Sequence, residues 1–138
     1  MRLGRNQKVE LIRKAPLFAG LSRAELASVA AAADELDFPE GKELTREGGR
    51  GREFFVLLEG TADVKRKGRR VNRLGAGDFF GEIALVSRSP RTATVVTTSP
   101  VRALVVTDRA FRMLLERSPQ IQMKVLEALA ERLAPAAV

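Results

Sequence analysis

The chain has 138 residues, a formal charge of +7 from 24 Lys and Arg against 17 Asp and Glu, and neither cysteine nor histidine. That length suits one domain with one core, and the two missing residue types remove disulfides, thiolate nucleophiles, imidazole bases and the common transition-metal sites together. The basic surplus favours a phosphate-bearing partner without choosing among nucleic acid, anionic lipid and nucleotide.

In the N-terminal stretch MRLGRNQKVELIRKAPLFAG, charges intervene before a signal-peptide core of about 7–15 apolar residues can form. No uncharged apolar run of about 18 residues occurs anywhere, so no membrane span is expected and the chain reads as cytoplasmic. A short helix is expected around Gln7 to Lys14, ending before Pro16. In GLSRAEL, Ser22 is an N-cap with Glu25 three residues on, and Leu21 is placed to staple onto Leu26. This starts a helix over about 23–33, with Leu26, Val29, Ala30 and Ala33 on one apolar stripe.

From Leu36 to Thr107, short apolar and β-branched runs alternate with turn residues: FPEG, REGGRG, LEGTA, RKGR, LGAGD, SRSP and TSP. This texture predicts about eight antiparallel strands in a sandwich or barrel, a jelly roll first. The basic tract VKRKGRR reads as the solvated tip of a hairpin turned at Gly68, between the strands of Val64 and Val71. Asp108 is expected to cap a helix to about Arg117, with Phe111, Leu114 and Leu115 inward. Ser118-Pro119 then opens a last helix to about 133. Ile121, Val125, Ala128 and Leu129 form one stripe of it, and Met123, Leu126, Ala130 and Leu133 a second, where a terminal helix needs one. The surplus fits a second subunit or an effector protein, or burial beneath a missing segment. The whole reads as a single domain over 1–138, mainly β with flanking α-helices. Helices over about 7–33 lead into an eight-stranded antiparallel β-roll over about 36–107, and a C-terminal helix pair follows over about 108–133.

The stretch GEIALVSRSPRTATVV sets the chemistry. In a strand beginning at Arg91, that residue shares the inward face with Ala93 and Val95, which aims a guanidinium at the interior. A strand ending at Phe79-Phe80 meets Gly81, and EIAL can form one helical turn whose free N–H groups point at the same space. The turn, the Arg91 fork and the bare Gly81 backbone make an anion site. Glu82 would repel that anion unless a hydroxyl lies within its reach, so a ligand with a phosphate beside a sugar hydroxyl satisfies both groups. A direct Glu82–Arg91 structural pair is the alternative.

FGEIAL followed by PRTATV resembles the phosphate-binding cassette of the cyclic nucleotide-binding domain family, the type found in catabolite activator protein and protein kinase A regulatory subunits. The resemblance extends through EGGRGREFFVLLEGTADV and GAGDFFGE to the helices at both ends, nearly the whole chain. It implies that Glu82 accepts from a ribose 2′-hydroxyl and that Arg91 pairs with the cyclic phosphate. It also implies that Gly81, Ile83, Ala84, Thr92 and Ala93 line the site or donate backbone N–H groups, with the Thr92 hydroxyl available to phosphate or base. Two departures stand out. Arg52, with only Glu53 beside it, occupies the place where many members carry an acid that orients the cassette arginine. The ending ERLAPAAV, with Pro135, stops where relatives continue a helix that caps the base, leaving Arg132 to reach a base.

The implied role is regulatory binding rather than catalysis, with no cofactor and with cyclic AMP or cyclic GMP as ligand. Cyclic AMP is favoured by an Ala/Arg-rich composition that reads as bacterial. Leu85 and Val86 would couple the cassette to Phe111, Leu115, Val125 or Leu129. Three other readings compete with it. A piece of a transcription regulator would need a DNA-reading helix, for which the five residues after Leu133 leave no room, so specific DNA binding by this chain is not expected. A metal-dependent enzyme on a related barrel would need ligand histidines. A scaffold with an unused pocket would not need both Glu82 and Arg91.

Overall fold

The computed structural model describes residues 5–133, so Pro135 and the expectation attached to it lie outside the described residues. α1 (Arg5–Lys14) ends before Pro16, and Pro16–Phe18 form one 3-10 turn that buries Leu17 and Phe18. α2 (Arg23–Ala32) starts at the expected capping box: Ser22 Oγ accepts from the Glu25 N–H at 3.1 Å, and Glu25 Oε1 accepts from the Ser22 N–H at 3.0 Å. Ala33, expected within this helix, is its extended C-cap instead. Lys8 Nζ donates to Ala30 O at 2.7 Å and Ala33 O at 2.8 Å, so α1 satisfies carbonyls that the end of α2 leaves free.

Eight strands build two four-stranded antiparallel sheets. One contains β1 (Asp34–Phe38), β3 (Glu53–Glu59), β6 (Phe79–Phe80) and β8 (Val101–Thr107), in the order β1-β8-β3-β6. The other contains β2 (Glu43–Thr45), β4 (Ala62–Arg66), β5 (Arg69–Leu74) and β7 (Thr94–Thr97), in the order β2-β7-β4-β5. Phe54 to Leu58 of β3 are all buried because both faces of the strand are covered. Phe54, Val56 and Leu58 meet the helices at Ile12, Phe18, Val29 and Phe111, while Phe55 and Leu57 enter the roll with Leu74, Phe80 and Val95. β8 divides in the same way, Leu104 and Val106 outward, Val101 and Ala103 inward. One sheet thus carries two cores, and each fully buried side chain of this size contributes about 1.5–3 kcal/mol. This fixes the helices against the roll.

β4 and β5 are joined at Lys67-Gly68, with φ of 52° and 77°, as a two-residue hairpin turn demands. The expected exposed tip is therefore present. α4 (Asp108–Arg117) corrects one expectation. Its cap is Thr107, whose Oγ1 accepts from the Ala110 N–H at 3.2 Å, and Asp108 is the first helical residue, accepting from Arg112 Nε at 2.9 Å. α5 (Pro119–Leu133) opens as expected, buried Ser118 Oγ accepting from the Ile121 N–H at 3.2 Å. Ile121, Val125 and Leu129 pack on the helical core, whereas Met123, Leu126 and Leu133 are exposed. No helix among the described residues is long and apolar enough to cross a membrane.

Candidate functional site

Gly81, at the end of β6, has φ of 98°, and a Cβ there would lie 2.8 Å from Glu53 O and 3.0 Å from Arg91 Nη1. Only glycine fits both the conformation and the space. α3 (Glu82–Ser87) follows, longer than the single turn expected, and ends at Arg88 with φ of 56°. The strand expected to begin at Arg91 begins at Thr94. Arg91 is instead tied to a glycine loop: its N–H donates to Gly49 O and its carbonyl accepts from the Gly48 N–H, both at 2.8 Å. The alternation survives outside the sheet, with Arg91, Ala93 and Val95 buried and Thr92 exposed.

The Arg91 guanidinium is held largely by backbone. Nη1 donates to Gly81 O at 3.2 Å and Nη2 to Glu53 O at 2.7 Å, with Glu53 Oε2 3.7 Å away. Glu53 thus does part of what an acid at position 52 would do. Burial pushes the Arg91 pKa below its ordinary value and Glu53 opposes the shift. Its Nε has no partner. Gly51 presses against it so closely that a Cβ would fall 1.9 Å from Nε. Nothing in the spacing of REGGRG marked Gly51 as a neighbour of Arg91, because the approach is tertiary.

Glu82 is fully buried, and its expected alternative partner, Arg91, is not its partner. Oε1 accepts from Arg132 Nη1, while Oε2 has no partner. Arg132 Nη2 donates to Phe79 O at 2.6 Å, and the guanidinium lies 5.1 Å from the Phe79 ring centroid. Burial lowers the Arg132 pKa as well, with Asp78 opposing. Leu85 joins the helical core with Phe111 and Val125, but Val86 is 46% exposed, against expectation. Consecutive helical residues point about 100° apart; the buried arc of α3 takes Ala84 and Leu85, and the next step turns Val86 out of it.

Gly81, Glu82, Ile83, Ala84, Arg91, Thr92, Ala93 and Arg132 all line one cavity of about 70 Å³, joined by Thr45, Arg66, Phe80 and Val95. Arg66 went unnoticed because its tract reads as a hairpin tip. The β4 register reveals it: Val64 pairs with inward Val95, and Arg66 is two residues further on the same face. Among the residues of this lining, Glu82 has an acceptor without a donor at Oε2, and Arg91 a donor without an acceptor at Nε, on the edge where Gly51 packs. Such groups fit a ligand that offers a hydroxyl and an anionic oxygen together. Among the described residues, no cluster of acidic side chains could hold a metal ion.

The model of the cyclic nucleotide-binding domain family matches residues 35–118. A cAMP-dependent protein kinase regulatory subunit from Mycosarcoma maydis is 39% identical over 109 residues, covering 72% of this chain and 21% of that protein. The chain therefore spans about a fifth of that relative's length. The regulatory domain of Toxoplasma gondii PKA, solved with cAMP, superposes with a TM-score of 0.81 at 24% identity, over 92% of this chain and 50% of that one. The catabolite activator protein of Thermus thermophilus gives 0.78 at 26% identity, over 88% and 59%. With similarity reaching both a fungal and a bacterial protein, the Ala/Arg-rich composition does not place the source.

Proposed function

Because the chain belongs to the cyclic nucleotide-binding domain family, we propose that it is a regulatory module that takes up a cyclic nucleotide, cyclic AMP foremost, between Glu82, Arg91 and Arg132. The observation that carries this reading is the pair of buried, unpartnered atoms, Glu82 Oε2 and Arg91 Nε, on residues lining one cavity. A ribose 2′-hydroxyl donating to the first and a cyclic phosphate accepting from the second would satisfy both. N–H groups at the start of α3 add donors for the phosphate. The relatives' printed names, a cAMP-dependent kinase subunit and a domain solved with cAMP, favour cyclic AMP over cyclic GMP.

The cavity of about 70 Å³ is far smaller than a nucleotide, because Arg132 reaches into it from α5. Binding would therefore displace Arg132 from Glu82 and free it to meet the base. The energy for that rearrangement is limited to the ligand's preference for the open state over the closed one. Leu85, in contact with the helical core, would carry the change to α4 and α5. Met123, Leu126 and Leu133 would then present the signal to a second subunit or an effector. A cytoplasmic location fits a chain without cysteine. The filled cavity also gives a second reading substance, that of a scaffold whose Arg132 has replaced the ligand for good.

Calorimetric titration of nucleotide-stripped protein with cyclic AMP and cyclic GMP decides between them. The module reading expects saturable one-to-one binding, with Arg91→Ala costing about 2–5 kcal/mol, the range for removing a desolvated charge partner. Absence of heat and of any thermal shift with both nucleotides would leave the scaffold.

A further inference from the structure

Beside the Glu82 cavity, with Ala84 lining both, lies a second cleft of about 390 Å³, between the glycine loop, α3 and the start of α4. Its apolar surface comes from Ala84, Leu85 and Pro90, and three guanidinium groups, Arg50, Arg52 and Arg88, line it. All three are exposed, and none has a side-chain hydrogen bond or ion pair among the described residues. The carboxylates nearby are committed elsewhere: Asp108 to Arg112 at 2.9 Å, and Glu53 to the Arg52 N–H at 3.1 Å and Arg91 at 3.7 Å. Three like charges converge on one cleft, and Asp108, the carboxylate that lines it, is taken up by Arg112. Arg52 is also the residue that departs from the family pattern, so the same change that removes an acid from the Arg91 side adds a cation here.

We propose that this cleft docks an acidic segment of a partner protein, an apolar side chain of the segment resting on Ala84, Leu85 and Pro90 while its carboxylates meet Arg50, Arg52 and Arg88. Charge complementarity names the partner: guanidinium forks match carboxylates in pairs, and three free cations around an apolar floor ask for acids spaced around a hydrophobic anchor. An apolar centre with an arginine-rich polar margin is the usual anatomy of a protein interface. Nucleic acid fits less well, since the densest basic tract, at the β4–β5 tip, contributes none of the residues that line this cleft.

The test uses fluorescence anisotropy of a labelled acidic heptapeptide with one central phenylalanine, titrated with the full chain without nucleotide. Saturable binding is expected, weakened about tenfold or more by R50E/R88E and by replacing the phenylalanine with serine, as loss of steered charge pairs and of an anchor requires. The hairpin variant R69E/R70E should change affinity by less than about twofold, since those charges act only through screened distance. R50Q and R88Q, each with a smaller effect in the same direction, serve if the double reversal perturbs folding. Equal weakening by R50E/R88E and R69E/R70E, indifference to the phenylalanine, absence of saturable binding, or full displacement by pyrophosphate or duplex DNA at equal charge would each overturn the proposal. No cyclic nucleotide enters the experiment, so its outcome is independent of what the Glu82 cavity binds.

Discussion

Arg91 sits between two glycines, Gly51 on one side and Gly81 on the other, with its fork drawn toward the carbonyls of Gly81 and Glu53. A desolvated guanidinium in that setting is aimed by exclusion as much as by attraction. Gly51→Ala places a methyl 1.9 Å from Nε and must swing the guanidinium aside. Because the methyl meets a side chain rather than backbone, the fold should survive. Cyclic AMP affinity in calorimetry should drop about tenfold, equivalent to about 1.4 kcal/mol, and the melting temperature should fall as the displaced guanidinium gives up its bonds to Gly81 O and Glu53 O. An unchanged affinity would mean that Arg91 binds from another rotamer. At this scale the sequence was informative wherever chemistry is local: Gly81, Glu82 and Arg91 declared themselves by type and spacing. Gly51, Arg66 and the Glu82–Arg132 pair did not, since each depends on segments that meet only in the folded chain.

α3 shows how the same boundary runs through the elements. Its start was legible from a glycine before a turn-forming stretch, and its two apolar neighbours, Leu85 and Val86, looked equivalent. Packing separates them: Leu85 is 3% exposed and Val86 46%. Leu85→Ala should cost about 2–5 kcal/mol in urea denaturation, and Val86→Ser should stay within about 0.5 kcal/mol. The capping box of α2 and the hairpin turn at Lys67-Gly68 were readable because every group they need is within a few residues. The late start of β7 was not. Arg91 leaves the ladder to pair with Gly48 and Gly49, a competition between backbone partners 42 or more residues apart that no strand propensity records.

In the whole molecule, the run FFVLL of β3 reports a two-sided burial that its sequence allowed but did not specify, and it is what holds roll and helices together. The resemblance to a known family supplied the topology; physical pattern alone reached a sandwich or barrel with helices at both ends. Beside the Glu82 cavity, an ion pair joins Arg132 of α5 to Glu82 of α3. Arg132→Ala leaves the Glu82 carboxylate buried without its cation. The loss should fall near the lower end of the about 3–5 kcal/mol typical of broken buried pairs, since Arg132 itself is partly exposed. The melting temperature should fall in the nucleotide-free protein and recover partly with cyclic AMP, whose hydroxyl can donate to Glu82. A variant as stable as the parent would show that the pair holds nothing.

α5 is also fastened at a second place. Lys124 Nζ donates to Pro16 O, and to Ala19 O at 3.2 Å, binding the helix to the 3-10 turn. Arg132 lies eight residues further on, about 12 Å along the axis. The two fastenings differ in kind: the lysine grips backbone carbonyls, of which Pro16 O also accepts from the Ala19 N–H, while the arginine grips a carboxylate that the proposed ligand would claim. On the proposed reading, such a helix would act as a lever with a fixed fulcrum and a releasable latch. Undoing the latch would leave it pivoting about Lys124 rather than coming loose, so a change of one contact at Glu82 would become a swing of its far end, where Leu133 is exposed, with Met123 almost still beside the fulcrum.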